Sequence, residues 1–337
     1  MTIVFAGGEM PSFVPSVTGE GETVGDFDGN YARCDIPAIG GGTGDIAGNT
    51  FPWIESELFT PLTTAWTHME FKCNVGEGGD GHWLDRVIWY DVNSVPRIKI
   101  QAIEAGSMLR FMCDTGSGFA QVGANYNVDY TNRQTFDICI QCNSSSGRIR
   151  LYNTGTRVYD SGTVDLSAVP NIAAIRFVGA VSGYGTPINT YVSQVIIASE
   201  ATIGWKLMTY VPSGAGLTSA WTGTYADVDE IVYDDGGFIT TAAAGAVENF
   251  AGTPVSPPDG SEIKALIVTA RARSNGAGPA SLALNVNVSG VDYFSSSILQ
   301  DAGFTPNIGI WELNPHTASP WLDVDLTTLK VGVKAIA

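Results

Sequence analysis

The sequence predicts an all-β protein of two β-sandwich domains in tandem, and three observations predict it. Short segments in which apolar and polar residues alternate with period two recur along the chain, the mark of strands with one buried face. Turn chemistry separates them: the 337 residues include 40 glycines and 16 prolines, concentrated between the alternating segments. The pattern then changes near residue 202, which divides the chain into a larger sandwich at 1–202 and a smaller one at 203–337. Hydrophobic residues make up 44% of the chain, enough to bury a core in each part.

The elements follow in order. Residues 1–50 form an entry region in which Tyr31, Arg33 and Asp35 alternate with Ala32, Cys34 and Ile36. Between Thr64 and Val75, Met69, Phe71, Cys73 and Val75 face the core, and His68, Glu70 and Lys72 face solvent. Asn74 to Asp85 (NVGEGGDGHWLD) reads as a long polar loop. Strands follow near Arg86–Asp91, Arg97–Glu104, Ser107–Cys113 and Ala120–Val128, with Ile98, Ile100 and Ala102 opposing Arg97, Lys99 and Gln101. Gln134 to Thr163 reads as three consecutive strands. Phe136, Ile138, Ile140 and Cys142 alternate with Asp137, Cys139 and Gln141. Ile149 and Leu151 oppose Arg148, Arg150 and Tyr152, and Val158 opens the third. Asn143–Gly147 and Asn153–Thr156 are the turns, with Gly147 where a positive φ is cheap. Ala173–Val178 and Asn189–Ser199 complete the first part.

In the second part, TIGWKLMTYVPSGAG from Thr202 reads as a strand followed by a Pro/Gly turn. Ile263, Ala265, Ile267 and Thr269 alternate with Lys264, Leu266, Val268 and Ala270, so both faces are buried in part. Leu282, Leu284, Val286 and Val288 make a one-sided strand, and Ile308–Leu313 and Leu329–Val333 two more. Asp323 to Leu329 suits one helical turn with an aspartate cap.

Charge narrows the partners. Lys+Arg 17 against Asp+Glu 34 gives a net charge of −17, which argues against nucleic acid and against an anionic membrane surface. No window approaches 18 apolar residues and the N-terminus has no basic region, so neither membrane insertion nor a signal peptide is expected. The five cysteines are irregularly spaced and make no disulfide framework. Cys139 and Cys142 stand three apart on a strand and point to opposite faces, so they are not expected to hold zinc. Only 15% of residues are charged, which suits a subunit of an assembly.

Catalytic motifs are absent. The three histidines, His68, His82 and His316, do not form a zinc motif, and there is no nucleophile elbow or phosphate loop. Acidic pairs at Asp26/Asp28, Glu55/Glu57 and Asp227/Asp229 lack the full two-carboxylate pattern of a glycoside hydrolase. The chain is therefore not expected to be an enzyme, and no cofactor is expected. Ca²⁺ could sit at Asp80 and Asp85, or at Asp227, Asp229, Asp234 and Asp235; the residues favour solvated acidic loops. Asp80, His82 and Trp83 are the candidate ligand-binding residues. A Gly-rich loop presents a flat ring beside polar acceptors, which suits a sugar. The rival reading has Trp83 opening the next strand and packing in the core or against a neighbouring subunit.

The spacing Gly147, Ile149, Leu151, Tyr152, Gly155 resembles the G-x-I-x-L-Y-x-x-G core of concanavalin-A-like and laminin-G-like jelly rolls over residues 20–200. AWTGTYADVDE, FITTAAAGAVENF, IKALIVTARAR, VSGVDYF, IWELNPHTASPW and LKVGVKA resemble the C-terminal module of tailed-bacteriophage virion proteins, and Ala6-Gly7-Gly8-Glu9 resembles their opening segment. The resemblance implies a structural protein made in the host cytoplasm and carried on the virion surface as a fibre, spike or decoration protein. Its partners would be other virion proteins, copies of itself (by analogy a trimer) and host-surface glycan. The alternative is a stand-alone carbohydrate-binding protein or a polysaccharide-degrading enzyme.

Overall fold

The computed structural model describes residues 2–7, 14–15, 22–23, 34–36, 53–73, 83–103, 107–129, 132–181, 187–188, 190–229, 235–253, 255–276 and 278–337. The protein is all-β, with two compact units, Met1–Lys206 and Leu207–Ala337.

The first unit begins with β1 (Ile3–Gly7), β2 (Val14–Pro15), β3 (Glu22–Thr23), β4 (Cys34–Ile36) and β5 (Trp53–Glu55). The long strands follow: β6 (Thr64–Cys73), β7 (Trp83–Tyr90), β8 (Pro96–Ile103), β9 (Met108–Asp114) and β10 (Phe119–Asn127). Then come β11 (Gln134–Gln141), β12 (Arg148–Asn153), β13 (Thr156–Asp160), β14 (Ala174–Val178), β15 (Ala180–Val181), β16 (Pro187–Ile188) and β17 (Thr190–Ala198). One sheet of eight strands runs β13-β12-β11-β6-β17-β4-β3, with β1 also on β17. The other, of seven, runs β10-β9-β8-β7-β14-β5-β2. The small β15–β16 pair stands apart.

The two large sheets pack face to face as a sandwich. Phe71, Phe136, Ile138, Ile140 and Leu151 enter the core from the first, and Trp89, Ile98, Ile100, Phe111 and Phe177 from the second. The Trp89 indole N–H donates to Thr67 Oγ1 across the gap at 3.1 Å, and Phe111 stacks on Tyr159 at 4.9 Å. Both polar groups are thus satisfied where water is absent.

The three strands expected between Gln134 and Thr163 are β11, β12 and β13. Thr154 and Gly155, at φ +49° and +79°, make the two-residue turn whose twist suits a hairpin. Gly147 serves differently from the expectation. The positive φ in its turn belongs to Asn143, at +55°. A Cβ at Gly147 would lie 2.7 Å from the Gln141 carbonyl oxygen and 2.8 Å from the Leu166 side chain, so close approach excludes larger residues.

Two expectations are corrected. His68 and Glu70 point away from the core as the alternation requires, yet they are only 2% and 9% exposed. The last residues of the unit cross this face. Thr202, itself fully buried, donates to Asp137 Oδ1 at 2.8 Å, the oxygen that also meets His68 Nδ1 at 2.8 Å. Ile203 continues the crossing beside Gly155. Residues 202–211 are therefore not a strand; the strand is β18 (Pro212–Ser219), where a turn was expected. Its Gly216 lies against Asn249, where a Cβ would come within 2.1 Å of the carbonyl oxygen.

In the second unit β18 is followed by β19 (Val247–Gly252), β20 (Leu266–Ala272), β21 (Ser281–Val288) and β22 (Val291–Phe294). Then come β23 (Ile298–Leu299), β24 (Thr305–Trp311), the helical turn α1 (Asp323–Leu326) and β25 (Lys330–Ile336). A six-stranded sheet, β18-β19-β25-β21-β22 with β23 on β21, packs on the β20–β24 pair. Leu282, Leu284, Val286, Val288, Val268 and Trp321 form the core. The reverse face of β21 is buried too: Asn285 and Asn287 give their amides to Asp292 Oδ1 at 3.1 and 2.7 Å. Leu322, not an aspartate, occupies the cap of α1, and Asp325 accepts its backbone N–H at 2.9 Å.

Candidate functional site

The outer face of the seven-stranded sheet carries a row of partly exposed polar and aromatic side chains. Alternation along β8 turns Ile98, Ile100 and Ala102 inward and Arg97, Lys99, Gln101 and Ile103 outward. On β9, Leu109, Phe111 and Cys113 go inward, and Met108, Arg110, Met112 and Asp114 outward. A bulge at Arg86 lies between the pairs Asp85↔Gln101 and Val87↔Ile100. It keeps Trp83 and Asp85 on the outer face with Ile88 and Tyr90, and turns Arg86 into the interior toward Thr190. Register sets Asp85 beside Gln101, and Gln101 beside Arg110.

These side chains form one connected network. Lys99 Nζ donates to Asp85 Oδ2 at 2.6 Å, and Gln101 Nε2 donates to Asp85 Oδ1 at 2.6 Å. Gln101 Oε1 in turn accepts from Arg110 Nε at 2.8 Å. The Arg110 guanidinium lies over the Trp83 ring at 4.3 Å, and Lys99 Nζ over the exposed Phe119 ring at 4.4 Å. Partial burial lowers the Arg110 pKa from its ordinary value, opposed by the Asp85 charge; the group stays cationic at working pH. Arg97 closes the row with ion pairs to Asp91 and Asp114. On the far side of the sheet centre, Arg176 lies between Trp53 at 4.0 Å and Tyr90 at 4.7 Å and pairs with Glu55. Burial pushes the Tyr90 phenol up to about 12, with Arg176 acting against it.

Trp83 is the first residue of β7, half-buried, with its ring on the outer face under Arg110. Asp80 and His82 lie outside the described residues. Of the acidic clusters, Asp85 is held by Lys99 and Gln101, and Asp235 by Arg271 at 2.8 and 3.0 Å. Asp227 accepts from Thr224 at 2.8 Å. Asp80 and Asp234 again lie outside the described residues. Among the described residues no group of three or more His, Cys, Asp or Glu is placed to hold a metal ion. No helix among them is long and apolar enough to cross a membrane. Cys139 and Cys142 have separate partners: Arg150 reaches the Cys139 sulfur at 3.9 Å, and Cys142 Sγ meets the Thr63 carbonyl at 3.3 Å.

The sequence reading did not single out Lys99, Gln101, Arg110 or Phe119. The signal available was the run of large polar residues on the outward positions of β8 and β9. Their convergence on Asp85 depends on the bulge, which no local motif announces.

The fold and this face together define a β-sandwich with an open aromatic and polar surface on one sheet. No protein-family model matches the sequence, and no curated protein matches it. Among solved structures the chain is similar to an endo-β-1,4-glucuronan lyase from the fungus Trichoderma reesei. That match has TM-score 0.44 and 10% identity, covering 59% of this chain and 96% of that one. It is also similar to the cellulose induced protein Cip1, with TM-score 0.39 and 12% identity, covering 56% and 92% of the two chains. A third is the botulinum neurotoxin serotype D/C binding domain, with TM-score 0.39 and 12% identity, covering 84% and 68%.

Proposed function

We propose that this protein binds glycan chains on the solvent face of the seven-stranded sheet. The observation that carries the reading is the network joining Lys99, Asp85, Gln101, Arg110 and Trp83 on that open face. Sugars offer flat C–H faces to aromatic rings and paired hydroxyls to carboxylates, amides and guanidinium groups. Side chains cross-linked on a rigid sheet meet such a ligand with little ordering cost. Trp83 borders the face, and Asp80 and His82, which precede it in the chain, are proposed to extend it. Affinity electrophoresis through gels containing neutral or acidic polysaccharides tests this. The wild-type chain should be retarded by at least one polymer, and the double variant Q101A/F119A should not. Arg150→Ala, on the eight-stranded sheet, should leave retardation unchanged. Equal retardation of all three proteins would reject this face. Shortening of the polymer by the wild-type chain would add a cleaving activity to the binding.

A second reading, a structural subunit on the outside of a bacteriophage particle, has its own observation. Among the described residues, strongly exposed apolar side chains concentrate in the second unit, including Met208, Leu217, Leu299, Leu313, Leu322 and Val324. Exposed apolar surface of this kind suits contact with like copies or other particle proteins. Sedimentation of the purified chain tests it: a trimer supports assembly, and a monomer at micromolar concentration opposes it.

A further inference from the structure

We propose that the glycan taken by this face is an acidic polysaccharide, and that Arg110 reads its carboxylate. This rests on the glycan-binding reading and deepens it.

The four cations of the face differ in one respect. Arg97 is paired with Asp91 and Asp114, Lys99 with Asp85, and Arg176 with Glu55. Among the described residues Arg110 contacts the Gln101 amide and the Trp83 ring and has no ion-pair partner. Carboxylates outnumber cations two to one in this chain, 34 to 17, yet among the described residues none makes an ion pair with this guanidinium; Asp85 acts on it at longer range, through Gln101. Its Nε is committed to Gln101 Oε1, and Gln101 is fixed in turn by its own donation to Asp85. The Trp83 ring, 4.3 Å from the guanidinium carbon, limits its movement on the other side. Among the described residues the two terminal nitrogens, Nη1 and Nη2, have no hydrogen-bond partner, so a pair of donors is left for an incoming group.

That geometry fits a planar anion bidentately, as a uronate carboxylate presents itself. A sugar hydroxyl gains less from the same fork, because it carries no charge. Lys99 and Phe119, a few ångströms apart along the same face, supply a donor and an exposed ring for the sugar body. The overall charge of −17 repels an acidic polymer at long range, so binding depends on this local fork rather than on the field of the whole protein.

Calorimetric titration of the full chain tests the proposal. The ligands are a β-1,4-linked glucuronate hexamer and its carboxyl-reduced counterpart, the β-1,4-linked glucose hexamer. The wild-type protein should prefer the acidic hexamer by roughly tenfold or more. Arg110→Gln should abolish that preference, bringing affinity for the acidic hexamer down to about that for the neutral one. Arg110→Lys, which keeps the charge and loses the fork, should also lose most of the preference. Melting temperatures of both variants should fall by no more than roughly a few degrees, since one hydrogen bond and one ring contact are at stake. Neutral and acidic hexamers bound equally by wild type would overturn this proposal and leave the glycan reading standing. Preference retained in Arg110→Gln would remove Arg110 from the account. Binding of neither hexamer would count against both proposals.

Discussion

Two tryptophans on one strand should respond unequally to truncation. Trp89 is fully buried between the sheets, and its indole N–H donates to Thr67 Oγ1 at 3.1 Å. Trp89→Ala leaves a large cavity, at a cost of about 3–5 kcal/mol. The stranded Thr67 hydroxyl adds about 1 kcal/mol. Trp83 lies six positions earlier, on the opposite face. Trp83→Ala removes the Arg110 stack at 4.3 Å, about 0.5–1 kcal/mol. It also removes the cross-strand contact with Ile103, about 0.2–1 kcal/mol. The expected loss is about 1–2 kcal/mol, roughly a third of that at Trp89. Hydrogen exchange of peptides covering residues 98–113, followed against urea in the full chain, reads the opening free energy of this unit alone. Equal losses at the two positions would place Trp83 in the core and refute the assignment of the face.

Three further outcomes are expected. Asp137→Ala strips the acceptor from buried His68 and Thr202 and should cost about 2–6 kcal/mol, from roughly 1–3 kcal/mol for each stranded group; a thermal-unfolding shift no larger than that of a surface substitution would show that the crossing segment is not held there. Asp160 is held down to about 2, chiefly by the Arg148 hydrogen bond, so its contribution is complete above the ordinary value of 3.8 and disappears as pH falls through about 2. Asp160→Asn should therefore destabilise the protein at neutral pH and make little difference near pH 2, and a pH-independent difference would contradict this. Burial pushes the thiols of Cys73 and Cys142 up to about 11 and that of Cys113 up to about 12. In a Cys34→Ala background, alkylation at neutral pH should proceed only on unfolding, and mass mapping of labelled native protein would expose any exception.

The strands of the first unit were legible because period-two alternation survives wherever one face is buried. Phe136, Ile138, Ile140, Ile149 and Leu151 all enter the core as their spacing requires. Alternation says which side a residue faces, not whether that side is covered. His68 and Glu70 were misread as solvated for that reason, since the crossing segment around Thr202 is a tertiary event. Gly147 shows the same limit. Its place in a turn was readable, but its role depends on Leu166, nineteen positions away. The Pro/Gly run at 212–216 reads as a turn, but there Gly216 lets β18 approach β19 closely. At the candidate site, the loop before β7 drew attention to Trp83. The bulge at Arg86, which aligns Asp85 with Gln101 and Arg110, left no mark in the local sequence.

The central claim is that the solvent face of the seven-stranded sheet is where a glycan binds. Hydrogen exchange of the full chain, with and without a saturating polysaccharide identified by gel retardation, tests it most directly. Added protection is expected in peptides covering residues 83–103 and 107–127, and none in peptides covering 64–73 and 134–160. Protection confined to the eight-stranded sheet or to residues 207–337 would contradict it.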